Sequence, residues 1–211
     1  MGAGLKILIF CPTTKRLSSK TLEAIFKQDV EQYDVMQTRD NPYPLEAKLK
    51  NIQHNFEKMR ETMWRGVYDK VWIVEEDIIP PPDALSKLLW VDAAVVSGLY
   101  IMRHGNYIPN IMLMGSGGPE WATHCDITHY WGEVIPIAGG CTGCLLVDRT
   151  ALPMTFMQDN TDSPDIAFMA HCRANGIEQM VHLGVVCGHV NGRNEVLHPS
   201  HEYQYTIEQV S

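Results

Sequence analysis

The sequence predicts an α/β fold in which a parallel sheet carries crossover helices. Three observations carry this reading. The apolar runs L-K-I-L-I-F (5–10), Y-D-V-M-Q-T (33–38) and V-W-I-V (71–74) have strand length. Between them lie two segments of helical character, T-L-E-A-I-F-K-Q and 45–66. Polar loops with Pro or Ser separate strand from helix. The order β-loop-α-β-loop-α-β is the pattern of parallel strands joined by helices.

Each element has its own local reason. The first strand, 5–10, is a buried apolar run, and C-P-T-T-K-R-L-S-S after it is a loop. Ser18 or Ser19 is suited to cap the helix that follows. In R-D-N-P-Y-P, Pro42 and Pro44 exclude a helix. Over 45–66, Leu49, Ile52, Phe56, Met59 and Met63 recur at three- and four-residue steps, which is helical spacing. Asp83 is placed to cap a short helix to Leu89, and A-A-V-V-S-G-L-Y-I (93–101) reads as a strand. The stretch from Met102 to Pro136 reads as a long irregular segment, with G-S-G-G at 115–118. C-L-L-V-D (144–148) is a strand, and Asp165 to Asn175 is a helix closed by Gly176 at its C′ position. Residues 180–187 read as the last strand, running into G-H-V.

The 211 residues suit one domain, and 45% hydrophobic with 20% charged residues is enough to fill a core. The formal net charge of -8, with no basic cluster, argues against a general nucleic-acid partner. No apolar run approaches the roughly 20 residues of a membrane span. The start reads as a first strand rather than a signal peptide. Six cysteines without a secretory signal point to reduced thiols in the cytoplasm.

The segment V-W-I-V-E-E-D-I-I-P-P-P-D-A-L (71–85) ends a buried strand in three carboxylates, Glu75, Glu76 and Asp77. Ligands of open α/β sheets bind beyond the carboxyl ends of the strands. In an extended segment Glu75 and Asp77 share a face. Two close carboxylates call for a counter-charge, which a hard cation such as Mg²⁺ or Mn²⁺ supplies. The prolines stiffen the exit. The alternative is a solvated strand end.

I-V-E-E-D-I-I-P-P-P-D-A-L followed by V-V-S-G-L-Y resembles the core of the nucleotide-sugar glycosyltransferases of the GT-A fold, family 2-like. K-I-L-I-F-C-P-T-T-K-R, G-G-C-T-G-C-L-L-V-D-R-T-A-L, S-P-D-I-A-F-M-A-H-C-R-A-N-G and V-V-C-G-H-V match further family segments in order, over about residues 5–192. The resemblance implies a GT-A (Rossmann-like) fold with a mixed, mainly parallel sheet flanked by helices. It implies one catalytic domain over 1–211, with a nucleotide-binding half at about 5–101 and an acceptor-side half at about 102–211.

It also implies roles. Asp77 matches the last acid of D-x-D and is the expected metal ligand. Glu75 matches the first, meeting the ribose or the metal, with Glu76 beside it at the nucleotide. His189 matches the third metal ligand, and Asp165 the general base of an inverting enzyme. Two positions depart from the family. Glu75 is one methylene longer than the usual Asp, and Pro164 replaces the acid before Asp165, which leaves Asp162 as a substitute base. Pro12, Thr13, Thr14 and Asp40 match positions that cradle the base, and Lys48 and Asn51 are expected along the same pocket. The implied cofactor is Mn²⁺ or Mg²⁺. The implied partners are a UDP- or GDP-sugar donor and a hydroxyl acceptor on a glycan, protein or small molecule.

C-T-G-C (141–144) is a lone C-x-x-C, better read as buried small residues whose glycines admit an acceptor than as a zinc or redox site. Trp121, Tyr130 and Trp131 suit stacking on a sugar, or packing on their own loop. Two rivals stand beside the transferase. A sugar nucleotidyltransferase usually has a glycine-rich basic loop after the first strand, which C-P-T-T-K-R-L-S-S is not. A non-catalytic nucleotide- or glycan-binding module on a degenerate GT-A fold is kept open by Pro164 and Glu75.

Overall fold

The run I-L-I-F-C-P folds as strand β1 (Ile7–Pro12), and its alternate side chains enter two different cores. Ile7, Ile9 and Cys11 face one side of the sheet, and Leu8 and Phe10 the other. A strand covered on both faces has no polar side to show, so it reads as a continuous apolar run. The structure is a computed structural model. It describes residues 4–13, 17–38, 41–43, 48–66, 68–103, 107–153, 163–191 and 195–209, with Lys48 described in its backbone alone.

Helix α1 (Ser19–Phe26) leads to β2 (Asp34–Thr38), and helix α2 (Lys48–Arg65) to β3 (Lys70–Val74). Strands β1, β2 and β3 are parallel neighbours, as the sequence predicts. A two-residue strand β4 (Ile78–Ile79), helix α3 (Ala84–Trp90) and β5 (Val95–Leu99) follow. Then come a hairpin of β6 (Ile111–Gly115) and β7 (Gly118–Trp121), helix α4 (His124–His129), β8 (Val134–Pro136) and β9 (Gly139–Gly140). β10 (Cys144–Asp148), helix α5 (Pro164–Ala174) and β11 (Gln179–Val186) complete the main layer. Beyond it lie β12 (Gly188–Val190), β13 (Glu195–Pro199) and β14 (Tyr205–Gln209).

The main sheet has seven strands in the order β2-β1-β3-β10-β5-β11-β8. β10 and β8 run antiparallel to their neighbours, and the rest are parallel. This is the mixed, mainly parallel, Rossmann-like sheet that the sequence predicts. One face packs Trp72, Val74, Val96 and Leu146 with Ile25 of α1 and Leu85 and Leu88 of α3. The other packs Phe10, Val71, Ile73 and Leu145 with Phe56, Met59 and Met63 of α2 and Phe168, Met169 and Cys172 of α5.

Several elements differ from the sequence reading. Leu49, which shares the helical spacing of the apolar residues of α2, is exposed. Ser18 and Asp83 stand at N-cap positions but make no capping bond, and Asp83 pairs with Lys87 instead. Residues 107–136 are not irregular. Their G-S-G-G is the turn of the β6–β7 hairpin, with Gly115 opposite Gly118, and Leu99, Ile111, Ile127 and Val181 form a third core beneath. Residues 180–187 are not the last strand. β14-β13-β12-β4 form a second, four-stranded sheet. The helix stop is as read: Gly176 follows α5 at φ +68°, a left-handed position that glycine takes without strain.

Candidate active site

The carboxylates at the end of β3 do not lie on an extended segment. The Ile78 amide donates to the Glu75 carbonyl at 3.1 Å, so 75–78 is a tight turn. The turn starts β4, and β4 pairs antiparallel with β12, with Ile78 opposite His189 and Ile79 opposite Gly188. The Val190 amide then donates to the Asp77 carbonyl at 2.9 Å. This register, rather than strand alternation, brings His189 to the acids.

Asp77 is buried and doubly contacted. Its Oδ2 lies 2.5 Å from Arg103 Nη1, and its Oδ1 lies 3.7 Å from His189 Nε2. Burial would raise the Asp77 carboxyl, but His189 and Arg103 outweigh it and hold the pKa below the usual value. His189 Nδ1 is 2.7 Å from the Ile101 carbonyl. A carbonyl only accepts, so Nδ1 carries a proton, and Nε2 is the ring nitrogen that faces Asp77. The imidazole also packs edge-on against Tyr100, with ring centroids 5.4 Å apart.

Glu75 accepts a hydrogen bond from Thr142 Oγ1 at 2.9 Å. Burial, then the charges of Asp77 and Asp165, push its pKa to about 7, against the smaller opposing pull of Thr142 and His189. Asp165 stands in the first turn of α5, after Pro164 at the helix start, and its Oδ1 accepts from the Ile166 amide at 2.9 Å. Pro suits that position, because its missing N–H is one that the helix could not bond.

Glu75, Asp165, His189 and Arg103 line one cavity of about 250 Å³, walled by Ile52, Phe56, Tyr100, Met102, Cys141 and Thr142. The C-T-G-C segment thus contributes a wall, and all six cysteines are free thiols. Its glycine does not admit an acceptor. A Cβ on Gly143 would stand 2.6 Å from the Tyr100 hydroxyl, which itself accepts from the Gly143 amide at 3.1 Å. The space that Gly143 leaves is filled by Tyr100. Burial, with Asp165 and Glu75 nearby, holds the Cys141 thiol well above its ordinary pKa, so it is no nucleophile at neutral pH.

The remaining sequence candidates are dispersed. Pro12 ends β1. Thr13 is buried, with its amide donating to the Thr38 carbonyl at 3.1 Å and its hydroxyl to the Cys11 carbonyl at 3.3 Å. Asn51 spends its amide group on the Tyr43 backbone, accepting at 3.0 Å and donating at 3.1 Å. The Glu76 carbonyl receives the Ser18 amide and the Thr21 hydroxyl of α1, and Glu76 is absent from the cavity wall. Thr14, Asp40, Asp162 and the Lys48 side chain lie outside the described residues.

Arg103, Thr142 and Tyr100 were not legible as site candidates. Arg103 had a usable signal, since it follows β5 at its carboxyl end, where the rule that singled out Glu75 also applies. Outside the cavity wall, Asn55, one turn beyond Asn51, is 1% exposed, and among the described residues neither its Oδ1 nor its Nδ2 has a partner.

No family model matches the sequence, and no curated protein matches it. A197 from STIV superposes with a TM-score of 0.66 at 14% identity, covering 98% of this chain and 95% of A197. The fold is shared with A197. TarS of S. aureus superposes with a TM-score of 0.49 at 13% identity, over 84% of this chain and 34% of TarS. At such identities the likeness concerns the fold. Among the described residues, no helix is long and apolar enough to cross a membrane.

Proposed function

We propose that this chain is a metal-dependent glycosyltransferase of the GT-A type, moving a sugar from a nucleotide-diphosphate donor to a hydroxyl acceptor with inversion. The observation that carries the reading is one cavity at the carboxyl end of the sheet. It gathers Glu75 from the end of β3, Asp165 from the start of α5 and His189 from β12, with Asp77 against His189.

The donor set suits a Mn²⁺ or Mg²⁺ ion. His189 presents Nε2 beside Asp77, and its Nδ1 is fixed by a backbone carbonyl, the outer contact typical of a ligating imidazole. Among the described residues, no group of three His, Cys, Asp or Glu stands at ligand spacing. Asp77 and His189 would therefore hold the ion as a pair, which suits a cation that keeps open positions for substrate phosphates. When bound, the ion would neutralise charge on the departing diphosphate.

The chain's own residues do the rest. Asp165 lines the cavity from the first turn of α5. From there it would take the proton of the acceptor hydroxyl. Glu75, held by Thr142, stands between Asp165 and Asp77 in charge coupling and suits contact with the donor sugar or ribose rather than the ion. Ile52, Phe56 and Met102 would exclude water from the reacting centre.

Calorimetric titration of UDP and GDP, with and without Mn²⁺, tests the reading on wild type and Asp77→Ala. One nucleotide should bind in a metal-dependent way, and the variant should lose that binding. Absence of binding by both nucleotides under every metal condition would leave the acids as a strand-end cluster and the chain as a binding module of other specificity.

A further inference from the structure

Arg103 enters the site from the carboxyl end of β5 and is held at two points. Its Nη1 donates to the Val190 carbonyl at 3.1 Å and lies 2.5 Å from Asp77 Oδ2. Val190 in turn bonds the Asp77 carbonyl, so the guanidinium, β12 and the acid form one clasp. The contact is largely shielded: the Asp77 side chain is 14% exposed and that of Arg103 31%.

Two facts about this clasp conflict with a passive brace. Asp77 has two carboxylate oxygens, one facing His189 and the other taken by Arg103. A divalent ion seated on Asp77 and His189 would stand beside a guanidinium of like charge, so the two cations compete for one carboxylate. The described wall of the cavity also holds no Lys or Arg besides Arg103, whereas Glu75 and Asp165 line it as acids. A diphosphate entering there meets one fixed cation from the protein. A guanidinium offers phosphate oxygens a forked, permanently charged set of donors.

We propose that Arg103 is both a resident counter-ion that competes with the divalent cation for Asp77 and the residue that binds the donor's diphosphate once released. The proposal rests on the nucleotide-sugar reading above. It gives Arg103 opposite effects on two ligands, which a purely structural brace of Asp77 would not have.

The test uses the full chain, with Arg103→Met, Arg103→Lys and Asp77→Asn. Mn²⁺ binding without nucleotide is read from the spin-resonance signal of the free ion. UDP and GDP binding is read by calorimetry at saturating Mn²⁺. Arg103→Met is expected to bind Mn²⁺ about tenfold more tightly and the nucleoside diphosphate about tenfold more weakly, the scale of one lost charged hydrogen bond. Arg103→Lys, which keeps the charge without the fork, should fall between wild type and Arg103→Met on both scales. It also carries the test if Arg103→Met fails to fold. Weaker Mn²⁺ binding in these variants, or no change in either ligand, would overturn the proposal. If Mn²⁺-dependent nucleotide binding is lost in Asp77→Asn while both Arg103 variants match wild type, the transferase reading stands and the role of Arg103 falls. If no form binds Mn²⁺ or nucleotide, both fall together.

Discussion

His189 Nε2 faces Asp77 Oδ1 at 3.7 Å because Ile78 and His189 are register partners in the pairing of β4 with β12. An acid at the end of the third strand and a histidine near the far end of the chain are joined by a two-residue strand. The chemistry proposed for the site depends on that pairing.

Asp165→Asn should separate chemistry from binding. The carboxamide keeps the shape and the hydrogen bond from the Ile166 amide but cannot take a proton. Turnover, measured as nucleoside diphosphate released from the donor that wild type uses, should fall by about 10²–10⁴. Nucleotide affinity should not change. A variant with wild-type turnover would remove Asp165 from the role of base.

Gly143→Ala should damage the site from within. Its Cβ would meet the Tyr100 hydroxyl at 2.6 Å, and Tyr100 is a rigid, buried ring that also packs on His189. Overpacking of this kind costs about 1–3 kcal/mol, readable in the denaturant midpoint. Because Thr142 and Glu75 adjoin, metal-dependent nucleotide binding should weaken beyond the loss of stability.

Asn55→Leu should stabilise the fold. A buried carboxamide without partners carries a desolvation cost of about 1–3 kcal/mol, which an apolar side chain of similar size removes. Urea unfolding of the two proteins gives the difference. An unchanged or lowered midpoint would mean that Asn55 is bonded in solution.

The Lys70–Asp148 pair should give an acid-sensitive share of stability. Burial would raise the Asp148 carboxyl, but the Thr150 amide and hydroxyl and Lys70 at 2.9 Å outweigh it, so the folded pKa lies below the unfolded one. The contribution is present above the unfolded value of about 3.9 and is lost as pH falls through the folded pKa. Asp148→Asn should therefore be less stable than wild type at pH 7, with the gap narrowing as pH falls below about 3.9. A gap independent of pH would contradict the assignment.

Much of the main sheet was legible because every strand but β8 carries its own signal. C-L-L-V-D bounds β10 as read, and Gly176 marks the end of α5. These are local properties, apolar run length and a left-handed stop. The second sheet was not legible for the same reason inverted. Ile78–Ile79 and Gly188–Val190 are too short to show alternation; β4 exists as a strand through β12, and β12 through β4 and β13. The site followed suit. Glu75, Asp77, Asp165 and His189 were singled out by position and resemblance, and they lie near one another, but the turn at 75–78 that shapes the acids was not foreseen. Arg103 lay in M-R-H-G-N, where no period or spacing points to a role, and only its height above β5 reveals it. Asn51 shows the converse: its expected pocket role meets an amide already committed to the Tyr43 backbone.

The two-residue strand β4 also sets an order of assembly. β1, β2 and β3 can pair through crossover helices, whereas β12 must find β4 across about half of the chain, a slow closure with few hydrogen bonds to hold it. His189 is then among the last groups to arrive in folding. The same weak joint is a place for partial opening, in which β12 to β14 detach while the seven-stranded sheet persists. Amide exchange at Val190 and Leu197 should outpace that at Ile9 and Ile73, and warming should extinguish the site before it unfolds the core.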